Sequence, residues 1–253
     1  VNGAELGWVE VGTSVLLVAV AVLVAAHQRL GLSKDVLLAA LRAFVQLIAV
    51  GMVLVVIFEH GGALGALGWV VLMVFIAGQV AGRRGKGVPR ARIIATVSVA
   101  SGAGVALALL LLLDVFPSRP SVIVPIGGMI VANSMQAVGL VLLRLAEHVD
   151  SSRAAIEARL SLGMDSAEAF GPHRRSSARA ALLPAIDATK VVGLISLPGA
   201  MTGLILAGVD PLTAIRYQIV VMYMILGAAA LAAAVAVHLG QRRLFDQAQR
   251  LRV

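Results

Sequence analysis

The chain has 253 residues, 60% hydrophobic and only 13% charged, with 21 lysines and arginines against 13 aspartates and glutamates, a net charge of +8. A soluble core of this size does not need so much apolar surface, and the lack of cysteine excludes a disulfide framework, a zinc–thiolate site and thiol chemistry. The apolar residues fall in long, nearly uncharged runs, which predicts an all-α polytopic membrane protein, 1–253 forming one transmembrane domain. Its basic excess is expected in loops on one membrane face and not on a nucleic-acid surface.

Seven spans are expected, at about 8–27, 36–58, 64–81, 92–113, 121–146, 190–208 and 213–240. The first has no basic residue before Arg29 and is long for a secretory leader, so it reads as a span. Span two carries Arg42 and Gln46, one helical turn apart. Arg42 lies about one turn inside the boundary, where it either snorkels to the interface or meets a loop carboxylate or an anionic group. Glu59-His60 follows, either a metal contact or a solvated loop pair. The other histidines, His27, His148, His173 and His238, fall near span ends or in loops. The thioethers of Met129, Met135, Met201, Met222 and Met224 suit packing, and as ligands would favour copper(I) over iron.

After span three, "GRRGKG" (Gly82–Gly87) has the wrong spacing for a phosphate loop. No G-x-x-x-x-G-K-[ST] occurs anywhere, so ATP chemistry would need a separate subunit. In span five, Pro125 and Gly127-Gly128 are expected to loosen the outer end. Asn133 and Gln136 share one face, for interhelix hydrogen bonding or for lining a solute route. In span six, Pro198 predicts an interruption near Leu197–Gly199, with the small face of Gly199 and Gly203 packing on span five of its own or a partner chain. This is either helix packing or a hinge in a discontinuous helix along the pathway.

Charge sets the orientation. Arg29 and Lys34; Arg83, Arg84, Lys86, Arg90 and Arg92; Arg144 through Lys190; and Arg242, Arg243, Arg250 and Arg252 all fall on one side of a seven-span chain. The other side has Glu5, Glu10, Glu59, Asp114 and Asp210, with Arg119 and Arg216 as exceptions. The positive-inside rule then puts the N-terminus outside and the C-terminus in the cytoplasm.

The long polar region 147–189 is thereby cytoplasmic. Ile156, Leu160 and Met164 recur at helical spacing, Leu162 and Phe170 lie on a neighbouring face, Gly163 interrupts, and Gly171-Pro172 ends a short helix. A second helix fits Arg174 to Leu183, with a kink at Pro184. The first helix either lies on membrane lipid or docks a soluble partner, presenting Glu157, Gly163 and Phe170.

"EARLSLG" (Glu157–Gly163) followed by Leu183-Pro184 resembles the loop by which ABC transporter permeases engage their ATPase, with Arg159 where that motif has its second alanine and a longer interval to Leu-Pro. "RAFVQL" (Arg42–Leu47), "PIGGMIVANSM" (Pro125–Met135) and the block Leu183–Tyr223 are similar to the iron-export ABC permeases once grouped as uncharacterised protein family 14, whose plant relatives are linked to aluminium tolerance. The resemblance implies a permease homodimer in the inner membrane with two separate ATPase subunits. They bind ATP and magnesium, while this chain binds no cofactor. It also implies a coupling role for Glu157, Arg159, Gly163 and Phe170. Iron is the leading cargo; a sugar nucleotide or other solute, and a stand-alone secondary transporter, are the alternatives.

Overall fold

The computed structural model describes residues 7–29, 31–246 and 248–252; Glu5, counted above among the outer acids, lies outside them. These residues form helices and two isolated bridges but no strand, so the chain is all-α. Two compact units result, Val1–Gly61 and Gly62–Val253.

In the first unit, α1 (Trp8–His27) and α2 (Ser33–Val56) form an antiparallel hairpin that ends in a π-helical turn, Ile57–Gly61. Val11, Val15 and Val18 line a shallow groove with Leu37, Leu41 and Phe44. Apolar side chains are exposed nearly all round, as expected of helices solvated by lipid.

In the second unit, α3 (Gly62–Arg84), α4 (Ala91–Leu112), α5 (Pro120–Ser161) and α9 (Pro211–Leu244) pack together, with α6 (Ser166–Ala169), α7 (Gly171–Val191) and α8 (Gly199–Leu206) added around them. Lipid tails are as apolar as leucine, so these helices associate by close packing of small residues and not by escape from water. A Cβ at Gly82 would lie 2.5 Å from the Arg92 Cα, and one at Gly102 would lie 2.5 Å from the Ala228 carbonyl oxygen. Gly127 seats the Val70 side chain in the same way, so the glycine pair expected to loosen span five instead lets α3 approach. Pro125 leaves α5 helical; its one non-helical residue is Ser152 (φ −121°, ψ 16°).

Five helical runs among the described residues are long and apolar enough to cross a membrane: Val9–His27, Ser33–Arg84, Ala91–Leu112, Pro120–Ser161 and Pro211–Leu244. The second has 52 residues and holds both expected spans two and three. Expected span six is not one continuous helix. Helix α7 ends at Val191, Val192–Leu197 is non-helical, and α8 resumes at Gly199 for only 8 residues, about 12 Å.

Two aromatic contacts mark the ends of the bundle. Phe116, between α4 and α5, meets Tyr217 near the start of α9 at 4.7 Å between ring centroids. Phe170, just before α7, meets Phe245 just after α9 at 5.8 Å.

Candidate functional site

The Phe170 end holds the expected coupling segment. Helix α5 continues to Ser161, well past its apolar run, because Ala154, Ala155 and Ala158 favour helix and Arg153 pairs with Glu157 at 2.9 Å. Gly163 then takes a φ of +88°, which side-chain-bearing residues avoid, and the helix stops. Asp165 caps α6 by accepting from the Glu168 N–H at 2.7 Å.

This turn is held on three sides. Arg159 donates to the Ala169 carbonyl at 3.1 Å. Gln241 Nε2 donates to the Ser166 carbonyl at 3.3 Å while its Oε1 accepts from Arg174 at 3.2 Å. Phe170 is fully buried against Phe245 and His173. The expectation that Phe170 faces a partner is therefore corrected: it anchors the turn, because the chain returns to cover it after α9. Arg159 likewise spends a donor on the turn. Among the exposed residues are Glu157, Gly163, the polar Ser161, Asp165 and Glu168, and the apolar pair Leu162 and Met164, 80% and 42% exposed. No atom would touch a Cβ at Gly163. The result is a rigid, glycine-tipped apolar knob.

Beside it, His148 and His173 lie 5.0 Å apart by ring centroid. Burial first, then the His148 and Arg159 charges, hold the His173 imidazole below its ordinary value of 6.5, and its Nε2 has no hydrogen-bond partner. Nothing in the local sequence signals this pair; it exists because α7 folds back along α5.

A cleft of about 470 Å³ opens between α5, α7 and α9. Asn133, Gln136, Arg84 and Leu140 line one side, and Pro184, Ala185 and Ala188 the other, with Ala229. Asn133 and Gln136 thus share a lined space as one of the two expected readings requires. Asn133 donates to its own helix at the Met129 carbonyl, 2.8 Å away, leaving its carbonyl oxygen for the cleft. Arg84 joins them, the aliphatic part of its side chain lying over Gly139. It forms no ion pair among the described residues.

The break follows α7. Pro198 is not inside a helix. It is the extended residue that precedes α8 (φ −61°, ψ 146°), where its missing N–H costs nothing. Gly193 supplies a φ of +82°, and its N–H bonds the Ser196 carbonyl at 3.0 Å. Gly199 and Gly203 face open space, and within this chain α8 packs on α9.

The remaining candidates belong to the first unit. Arg42 and Gln46 are exposed on α2, without hydrogen-bond partners among the described residues. Glu59 and His60 lie in the π turn, 3.9 Å apart and exposed. No group of three histidine or carboxylate ligands gathers anywhere among the described residues. A two-residue exposed pair is too few donors for a closed metal site.

Known proteins resemble this chain nearly end to end. It is 44% identical over 223 residues to the UPF0014 membrane protein STAR2 of Oryza sativa subsp. japonica, covering 88% of this chain and 78% of the relative. It is 41% identical over 238 residues to the "Probable iron export permease protein FetB" of Escherichia coli K12, covering 94% and 92%. It is 36% identical over 249 residues to Protein ALUMINUM SENSITIVE 3 of Arabidopsis thaliana, covering 97% and 90%. No solved structure matches. The family model described as uncharacterised protein family UPF0014 matches residues 8–245, and with its long apolar helices the chain belongs to that family as a multi-pass membrane protein.

Proposed function

We propose that this chain is the membrane-spanning subunit of an ATP-driven exporter of metal ions, with iron first among the cargoes. The observation that carries the reading is similarity across nearly the whole chain to the Escherichia coli relative named for iron export. The geometry agrees with it. A polytopic helical bundle offers a route, the broken segment after α7 gives that route a flexible wall, and the Leu162–Met164 knob offers a soluble partner a preformed contact. The partner is a separate ATPase that binds ATP and magnesium; two copies of this chain and two of the ATPase form the transporter in the cytoplasmic membrane. Under this reading α5–α7 is the coupling element, with Glu157, Gly163 and the knob touching the ATPase, and with Arg159 and Phe170 holding the knob in place.

The test is co-expression with a candidate ATPase subunit carrying Walker motifs. The two subunits are expected to purify together, and iron(II) to stimulate ATP hydrolysis in reconstituted vesicles. Failure to co-purify removes the ATP-driven class. Stimulation by a sugar nucleotide and not by any metal replaces the cargo.

A further inference from the structure

Helix α7 carries an ion pair that its surroundings do not explain. Lys190 Nζ lies 3.0 Å from Asp187 Oδ1, one turn apart, with 66% and 62% of their side chains exposed. A pair like this is ordinary on a soluble helix. Its place along the bundle is not ordinary.

Contacts fix that place. At its start, α7 puts His173 beside His148 and Arg174 beside Gln241. Farther along, Pro184, Ala185 and Ala188 share the cleft with Asn133, Gln136 and Ala229. Helix α7 therefore runs antiparallel to both α5 and α9, and its last two turns lie level with Asn133 and Ala229. Those residues sit in the middle of the apolar parts of α5 and α9, roughly 15–20 Å from the Gln241 end at 1.5 Å per residue. Asp187 and Lys190 lie at that depth, on the face of α7 turned away from the cleft. The non-helical Val192–Leu197 follows at once.

Charges at that depth do not face lipid; they face a bundle interior or a water-filled cavity. Irregular backbone at membrane depth obeys the same restriction. Both features occupy one continuous stretch of chain, and neither is covered within this unit. The segment's exposed side chains are the apolar Leu194, Ile195 and Leu197, so its irregular backbone and the ion pair beside it are what bear on water. Together they point to water.

We infer that the Asp187–Lys190 face of α7 and the adjoining non-helical segment line the aqueous route, with Asp187 as the carboxylate that contacts a passing cation and Lys190 as its counter-charge when the route is empty. A carboxylate is a hard oxygen donor suited to a metal ion. A neighbouring ammonium makes the empty site neutral and leaves when a cation of higher charge arrives. The cation part of this inference rests on the proposed metal export; the aqueous part does not.

The chain has no cysteine, so single cysteines report cleanly. In the assembled transporter in membranes, Asp187→Cys and Lys190→Cys should react with a charged, water-soluble thiol reagent. Met222→Cys, in the packed part of α9, should not. Protection of both α7 cysteines overturns the aqueous face whatever the cargo. For the cation role, Asp187→Asn should reduce iron efflux at least tenfold while leaving co-purification with the ATPase intact. The double exchange Asp187→Lys with Lys190→Asp restores an ion pair at the same spacing, so a merely structural pair would regain efflux. Continued loss in that variant supports a positioned carboxylate. Full efflux in Asp187→Asn, or recovery in the exchange, overturns it. Efflux of an anionic solute in place of metal, with labelling intact, would refute the cargo reading and the cation role while leaving the water-lined face standing.

Discussion

The side-chain carbonyl oxygen of Gln249 accepts a 2.6 Å hydrogen bond from the backbone N–H of Ser166, 83 residues earlier in the chain. Gln249 holds a φ of +61°, unusual for a residue with a side chain, and the tail is tied back by the Arg252 N–H bonding the Leu244 carbonyl at 2.8 Å. Residues 248–252 thus clasp the turn between α5 and α7. Replacing Gln249 with Ala removes one hydrogen bond, about 1 kcal/mol, from an element that needs rigidity. We expect ATPase-coupled transport to fall several-fold with membrane insertion unchanged, measured as efflux against the amount of inserted protein.

Gly163 separates conformational from contact effects. Gly163→Ala strains a positive φ by about 1–2 kcal/mol but adds only a methyl group to open space. Gly163→Trp adds the same strain and a bulky group on the knob. Mild loss in the first and loss of ATPase co-purification in the second are expected. Equal co-purification of both variants with the wild type would remove the knob from the interface.

The break after α7 depends more on Gly193 than on Pro198. Pro198 precedes α8 in an extended conformation that alanine also adopts, whereas Gly193 has a φ of +82°. Gly193→Ala should slow transport more than Pro198→Ala, with both variants inserted and folded. The opposite order, measured by efflux at matched expression, would make Pro198 the hinge.

Acid should loosen the coupling end. The folded His173 is held below its ordinary value of 6.5, so between that value and its lowered one the unfolded chain binds more protons. Stability from this site is therefore whole above about 6.5 and is lost as pH falls through the folded value. Thermal unfolding in detergent from pH 7.5 down to 5.5 should show a fall in Tm that His173→Phe flattens.

Topology is open to the same cysteine method. Asp210→Cys is expected to react from outside intact cells and Arg252→Cys only after inversion of the membrane. Both reacting from one side would contradict the charge-based orientation.

The helical architecture was legible because hydropathy alone marks long apolar runs. Helix α5 was read to 146 because its hydropathy fades there, yet hydropathy says nothing about where a helix stops when alanines and an Arg153–Glu157 pair continue it to Ser161. Pro184 lies inside α7, which runs on beyond the expected end at Leu183 to Val191. The break near Leu197–Gly199 was readable from local chemistry, proline and glycine together. Its neighbours were not: whether α8 meets α5 or α9 depends on tertiary packing. Phe170 looked like a surface residue because the cover for it, Phe245, lies 75 positions away in sequence. From sequence, Lys190 reads as the end of a cytoplasmic polar region, because the register of α7 against α5 and α9 is set by tertiary packing.

Helix α5 also has mechanical consequences. Its single joint at Ser152 divides about 63 Å of rod, at 1.5 Å per residue, into a short arm that ends in the coupling turn and a long arm bearing Asn133 and Gln136. The arms differ in length by a factor of about three and a half on that rise. Were the joint stiff, a push of about 1 Å on the turn would swing the far end by about 3.5 Å by leverage alone. Stroke is gained and force is lost in the same proportion. The long arm is packed among α3, α4 and α9, so a push at the turn reaches its far end only by carrying those helices with it.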